Sequence, residues 1–190
     1  MKYTGEIILA VLFLYVIALG VVTYDERQGM RMLVEAVAHR GRRRIALLHI
    51  GSDEHYSVPA RYDELRKLSK SFGLEPPRIA ELDLPSLENG EMDSVIMNGR
   101  EVDAFIVGDR FLPRIYSCCA ACGRKIGEDV SVLCYQPDWN ARLLSPRCAG
   151  AGVDDIRVGE LAVQVLGELM EGKSEGTQVI PYAFTPGDSL

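Results

Sequence analysis

The absences narrow the chemistry first. In 190 residues there is no G-x-S-x-G turn and no P-loop, so neither an elbow-mounted serine nucleophile nor a phosphate-cradling glycine loop is encoded. Only three histidines occur, His39, His49 and His55, and they fit no zinc spacing. The five cysteines are an odd number without framework spacing, which suits reduced thiols better than a disulfide scaffold. Cys119 and Cys122 form a C-x-x-C pair late in a predicted helix. A redox pair belongs at a helix N-terminus, so these read as small buried hydrophobes continuing an apolar stripe. A zinc site would need Cys134 or Cys148 as a further ligand, and no second C-x-x-C exists. The expectation is no catalytic residue, no metal and no cofactor.

Positive charge is also short. There are 21 Lys and Arg against 27 Asp and Glu, a net charge of −6, which argues against nucleic-acid binding by this chain alone. One basic cluster, His39 to Arg44, reads as a solvated loop before a strand. The apolar stretch Ile7 to Val22 falls short of the ~18 to 20 residues of a membrane span. It reads as a buried helix or strand. The alternative is a signal peptide or anchor, since Lys2 precedes it and Ala18-x-Gly20 would pass as a cleavage site, although Glu6 is the wrong charge for that region.

What is present is an α/β pattern. Apolar content of 47% with 25% charged residues is ordinary for a globular chain, enough for a core. Val21 to Tyr24 is a short strand ended by Asp25. Met30, Leu33, Val34 and Val37 recur at helical spacing, and Gly41 stands where a left-handed cap is expected. Ile45 to Ile50 is a continuous apolar run of the kind buried in a parallel sheet. After the polar loop Ser52 to Ser57, Pro59 opens a helix carrying Tyr62, Leu65, Leu68 and Phe72, stopped by Gly73. Arg78 to Leu82 is a strand, Pro85 to Asn98 a weaker helix stopped by Gly99, and Ala104 to Val107 a strand. Leu112, Ile115, Tyr116 and Cys119 mark a helix ended by Gly123, and Val130 to Cys134 a strand. Trp139 to Val153 has no period and reads as a crossing segment. Asp154 caps a helix with Val158, Leu161, Ala162, Val165 and Leu169 on one face, ended by Gly172. Val179 to Phe184 is a final strand before a loop tail. Alternating strands and helices imply a parallel sheet covered on both faces, a three-layer α/β/α sandwich.

In open parallel sheets ligands sit beyond the carboxyl ends of the strands. Those ends carry Asp25, Gly51 to Ser57, Asp109 and Tyr135 to Asp138, with Arg61 starting the helix behind the second loop. Carboxylates that accept from paired hydroxyls, with an arginine fork, suit hydroxyl-rich small molecules. For Arg61, Asp25 and Asp109 the competing reading is a helix cap or salt bridge.

Several landmarks stand in order: V-x-x-D at Val22 to Asp25, RRRIALL at Arg42 to Leu48, Ala60-Arg61 opening a helix, DAFIVGD ending at Asp109, and IGEDVSV from Ile126 to Val132. The helix Asp154 to Ala162 and the tail from Pro181 to Ser189 follow. Together these resemble the second half of the effector-binding domain of the lac-repressor/galactose-repressor regulators, whose fold is that of type I periplasmic sugar-binding proteins. The resemblance implies a nearly complete second lobe over residues 21–138, a reduced first lobe with a crossover, helix and closing strand over 139–190, and an apolar N-terminal remnant over 1–20. It implies a homodimeric, cytoplasmic, sugar-sensing module without its DNA-binding domain. The alternative is an exported or membrane-tethered solute-binding protein of a transporter. By position, Arg61 matches the effector-contacting arginine. Gly108, just before Asp109, replaces the family's asparagine, and Gln136 replaces its usual aspartate.

Overall fold

The computed structural model describes residues 22–50, 57–82, 102–171, 173 and 177–190. The apolar segment at residues 7–21, the loop at 52–56, the helix expected over 85–98 and the stops Gly99 and Gly172 lie outside the described residues. The chain divides into two compact units, a smaller one of Met1–Asp25 with Val153–Tyr182 and a larger one of Glu26–Gly152 with Ala183–Leu190.

The larger unit is built on a six-stranded sheet. Its strands are β2 (Ile45–Ile50), β3 (Arg78–Leu82), β4 (Ala104–Gly108), β5 (Ser131–Tyr135), β6 (Ala149–Gly152) and β8 (Ala183–Thr185), while β1 (Val22–Tyr24) and β7 (Gln178–Ile180) belong to the smaller unit. The spatial order is β3-β2-β4-β5-β6-β8. All pairings are parallel except β6 with β8. Ile45, Ala46, Leu47 and Leu48 are each at most 1% exposed, and every residue of β4 is buried, so both sheet faces are covered. One face, carrying Ala46, Leu48, Phe105, Val107, Val132 and Cys134, packs on α3 (Leu112–Ala121) through Leu112, Ile115 and Cys119. Alternation sends Ile45, Leu47, Ile106 and Leu133 to the other face. Helix α1 (Glu26–His39) buries Met30, Leu33, Val34 and Val37, as their spacing predicts, and lies against β5, β6, β8 and α2 (Ser57–Ser71). Gly41 and Gly73 follow these two helices with φ of 81° and 64°, a region that costs other residues more.

Three expectations are corrected. The crossing segment holds a short helix, α4 (Trp139–Leu143), and the strand β6. That strand reads AGAG and carries no apolar signal. Its small residues serve a close approach, because a Cβ at Gly150 would stand 2.5 Å from the Cys134 carbonyl oxygen. The single closing strand is two, β7 (Gln178–Ile180) and β8, with Pro181, which cannot donate to a ladder, between them. Cys122 is exposed at the C-cap of α3 rather than part of its buried stripe, whereas Cys118 and Cys119 are buried.

The basic cluster is not simply solvated. Arg40 donates to Gly127 O at 3.0 Å, Arg42 to Ser131 Oγ at 3.1 Å and Glu128 O at 2.6 Å, and Arg43 to Gly73 O at 2.5 Å. Asp103 accepts from the Arg44 backbone N–H at 2.8 Å and from its Nε at 3.4 Å. These arginines tie loops together beside the amino ends of the strands. The tail is pinned near the same strands: Ser189 Oγ donates to Val132 O at 2.5 Å and accepts from Ala149 N at 2.9 Å.

In the smaller unit β1 (Val22–Tyr24) pairs in parallel with β7. Helix α5 (Asp155–Met170) packs Val158, Ala162, Val165 and Leu166 with Val22 and Ile180. Asp154 caps it as expected, its side chain accepting from Ile156 N at 3.0 Å and Arg157 N at 3.3 Å. Among the described residues no helix is long and apolar enough to cross a membrane.

Candidate functional site

After β2 the chain steps outward to β3, then returns to place β4 on the other side of β2. The strand order therefore reverses between β2 and β4, and side chains at their carboxyl ends border a crevice. A cavity of about 490 Å³ occupies this place in the larger unit. His49 at the end of β2, Gly108 to Phe111 after β4, and Tyr135, Gln136, Asp138 and Asn140 after β5 line it, with Arg61 from α2. Of the five residues marked by sequence, Arg61, Gly108, Asp109 and Gln136 are among the lining residues. Asp25 is not: it ends β1 in the smaller unit, where its backbone N–H donates to Ile180 O at 3.0 Å.

Arg61 is held on two sides. Its Nε donates to Glu26 Oε2 at 2.7 Å and its Nη2 to Glu26 Oε1 at 3.0 Å, a two-pronged ion pair. The side chains are only 11% and 5% exposed, so this pair is not the loosely screened kind found on surfaces. The guanidinium carbon also lies 4.5 Å from the centre of the Tyr135 ring, within cation–π range. Tyr135 is fixed in turn. Its hydroxyl donates to Leu48 O at 3.4 Å and stands 3.3 Å from His49 Nδ1. Burial pushes the Tyr135 phenol up to about 12, against the pull of the Arg61 charge in the opposite direction.

Gly108 is explained by the same ring. A Cβ there would lie 3.3 Å from the Tyr135 hydroxyl and 3.4 Å from its ring carbon Cζ. The tyrosine leans over the backbone where a side chain would otherwise stand. Asp109 does the work of a cap. One carboxylate oxygen accepts from Asp138 N at 3.0 Å and Ala141 N at 2.9 Å, the other from Asn140 N at 3.1 Å and Asn140 Nδ2 at 2.9 Å. Four donors surround its charge and fix the start of α4. Gln136 is the one non-glycine described residue with positive φ, 56°, and its backbone N–H donates to Ala151 O at 2.8 Å. A left-handed non-glycine residue at a cavity wall costs free energy that a turn alone would not require.

Sequence reasoning missed Glu26, His49, Arg110, Phe111 and Asn140. Glu26 had a legible signal, a carboxylate beginning the first helix. The residue it would meet lies 35 positions away on another helix, and spacing along the chain does not show that.

The family model described as a periplasmic binding protein-like domain matches residues 34–190. No curated protein matches the chain significantly. Among solved structures, the chain is similar to a sugar-binding transcriptional regulator of the LacI family from Enterococcus faecalis, with 20% identity and a TM-score of 0.77. The alignment covers 89% of this chain and 64% of that one. It is also similar to a LacI family regulator from Arthrobacter sp. FB24 in complex with lactose, with 18% identity, a TM-score of 0.75, and 88% and 65% covered. A third likeness is to a periplasmic binding protein/LacI transcriptional regulator from Alkaliphilus metalliredigens QYMF complexed with D-xylulofuranose, with 15% identity, a TM-score of 0.75, and 89% and 65% covered. The chain thus spans just under two thirds of the length of each.

Proposed function

Because the chain belongs to the periplasmic binding protein-like domain family, we propose that it is the ligand-sensing part of a LacI-type regulator, with a small hydroxyl-rich effector seated beside Arg61, Gly108, Asp109 and Gln136. The observation that carries this reading is the cavity at the carboxyl ends of β2, β4 and β5, where the strand order reverses. Its volume suits a mono- or disaccharide-sized molecule. The Tyr135 ring offers an apolar face, the Arg61 guanidinium offers a donor held in place by Glu26, and the Gln136 amide adds a further polar group. The chain acts without catalysis, in the cytoplasm, as a homodimer. Exposed apolar side chains on α4, Trp139 at 66% and Leu143 at 67%, support self-association. DNA contact belongs to another part of a full regulator. Consistent with that, the arginines at 40, 42, 43 and 44 are spent on carbonyls and carboxylates of this chain rather than displayed to phosphate.

Isothermal titration against pentoses, hexoses and disaccharides tests the reading. Gly108 and Gln136 lack the family's amide and carboxylate; a lost neutral hydrogen bond costs about 0.5 to 1.5 kcal/mol and one to a charged group about 1.5 to 3 kcal/mol. The affinity for common monosaccharides is therefore expected to be no better than millimolar, and Arg61→Ala should abolish what binding there is. A sugar complex that survives Arg61→Ala would place the site elsewhere.

A further inference from the structure

A bare guanidinium in a cavity invites an anion, yet the environment of Arg61 is balanced from behind. Glu26, 5% exposed, meets it with both carboxylate oxygens at 2.7 and 3.0 Å. Among the described residues, the other charges of the cavity come close to cancelling. Arg110 and Asp138, of opposite sign, line the same cavity, and Asp109 adds a further negative charge behind its four donors. Among the described residues around this space, Glu26, Asp109 and Asp138 stand against Arg61 and Arg110. The Tyr135 ring covers one face of the Arg61 group at 4.5 Å, which restricts the approach of a second oxyanion.

We propose that Glu26 is the positioning residue that sets the charge preference of the cavity: by balancing Arg61 with a two-pronged, buried ion pair, it admits an uncharged polyhydroxy ligand and rejects its phosphorylated or carboxylated counterpart. This rests on the reading of the cavity as the ligand site. Arg61 remains a hydrogen-bond donor, but its charge is no longer available to an anion. Glu26 also fixes the guanidinium plane, so that the group is held against the Tyr135 ring at the cavity wall. Removing that carboxylate charge while keeping its shape takes away the anion that meets Arg61 at Nε and Nη2, shifts the charge of the cavity toward positive, and makes an oxyanion a better ligand for it.

The probe is inorganic phosphate, titrated by calorimetry and by amide NMR into the wild-type chain, Glu26→Gln, and the double variant Glu26→Gln/Arg61→Gln. The wild type should show no saturable phosphate binding at the cavity. Glu26→Gln should gain phosphate affinity by roughly 10- to 100-fold, the size of one Coulombic partner removed in a part-buried site. The double variant should lose that gain. General structural damage would not create a new affinity that depends on Arg61. Equal phosphate binding by wild type and Glu26→Gln, or a cavity already filled by phosphate in the wild type, overturns the proposal. If Glu26→Gln does not fold, the wild type decides alone: a neutral hexose should bind at least about tenfold more tightly than its 6-phosphate, and the reverse order overturns the proposal. A gain of phosphate binding in Glu26→Gln with no sugar bound by the wild type would uphold the charge preference and defeat the sugar-sensing reading.

Discussion

At the scale of single residues, this structure puts chemistry where the side chains are most constrained. Gln136 pays a backbone penalty at φ 56°. Replacing it with glycine should leave the fold as stable as before or up to about 1 kcal/mol more stable by urea denaturation, while weakening effector binding. A loss of more than about 1 kcal/mol would show that its side chain is structural. Asp109 should behave oppositely. Asp109→Ala strips four donors of their acceptor and should cost about 2 to 4 kcal/mol in the same assay, with α4 the first element to lose amide protection. The buried thiols predict alkaline sensitivity. Burial holds Cys119 and Cys148 up at about 11, from an ordinary value near 9, and Tyr135 at about 12, from near 10. Between pH 9 and 12 the unfolded chain releases protons that the folded chain keeps, so stability is full below pH 9 and falls through that window. A urea midpoint unchanged from pH 8 to 11 would contradict this. In the native chain only Cys122 is exposed among the five thiols, so one equivalent should react quickly with a thiol reagent and the others only on unfolding.

Among the elements, legibility followed periodicity. The stripe Met30, Leu33, Val34 and Val37 named the buried face of α1, and the apolar runs of β2, β4 and β5 named the central strands, because burial there is written in side-chain size. Strand β6 was invisible for the opposite reason. Its close backbone approach to Cys134 and Pro137 demands small residues, and AGAG reads as nothing. The site was half legible. Arg61, Gly108, Asp109 and Gln136 fall at strand ends or helix starts, where fold logic points. Their partners Glu26, Tyr135 and Asn140 depend on tertiary geometry, and the capping role of Asp109 became plain only with α4 in place. For the helix of the smaller unit the cap is local and was read correctly. Asp154→Ala should therefore destabilise α5 by about 1 kcal/mol, seen as faster amide exchange over its first turn, without changing ligand binding in the larger unit.

For the whole molecule, a parallel sheet keeps its two ends chemically distinct. Beside the amino ends of the strands, arginines 40, 42, 43 and 44 close loops onto one another and onto Asp103. The carboxyl ends leave a cavity with an arginine locked between a glutamate and a tyrosine. On the reading proposed above, the first arrangement stabilises and the second recognises. The measurement that tests this division most directly is an amide NMR titration of the chain with neutral pentoses and hexoses, mapped residue by residue. The account predicts shifts concentrated at His49, Arg61, Gly108 to Phe111 and Tyr135 to Asn140, lost in Arg61→Ala. Shifts centred on Arg40 to Arg44 and Asp103, or a response that Arg61→Ala leaves unchanged, would contradict it.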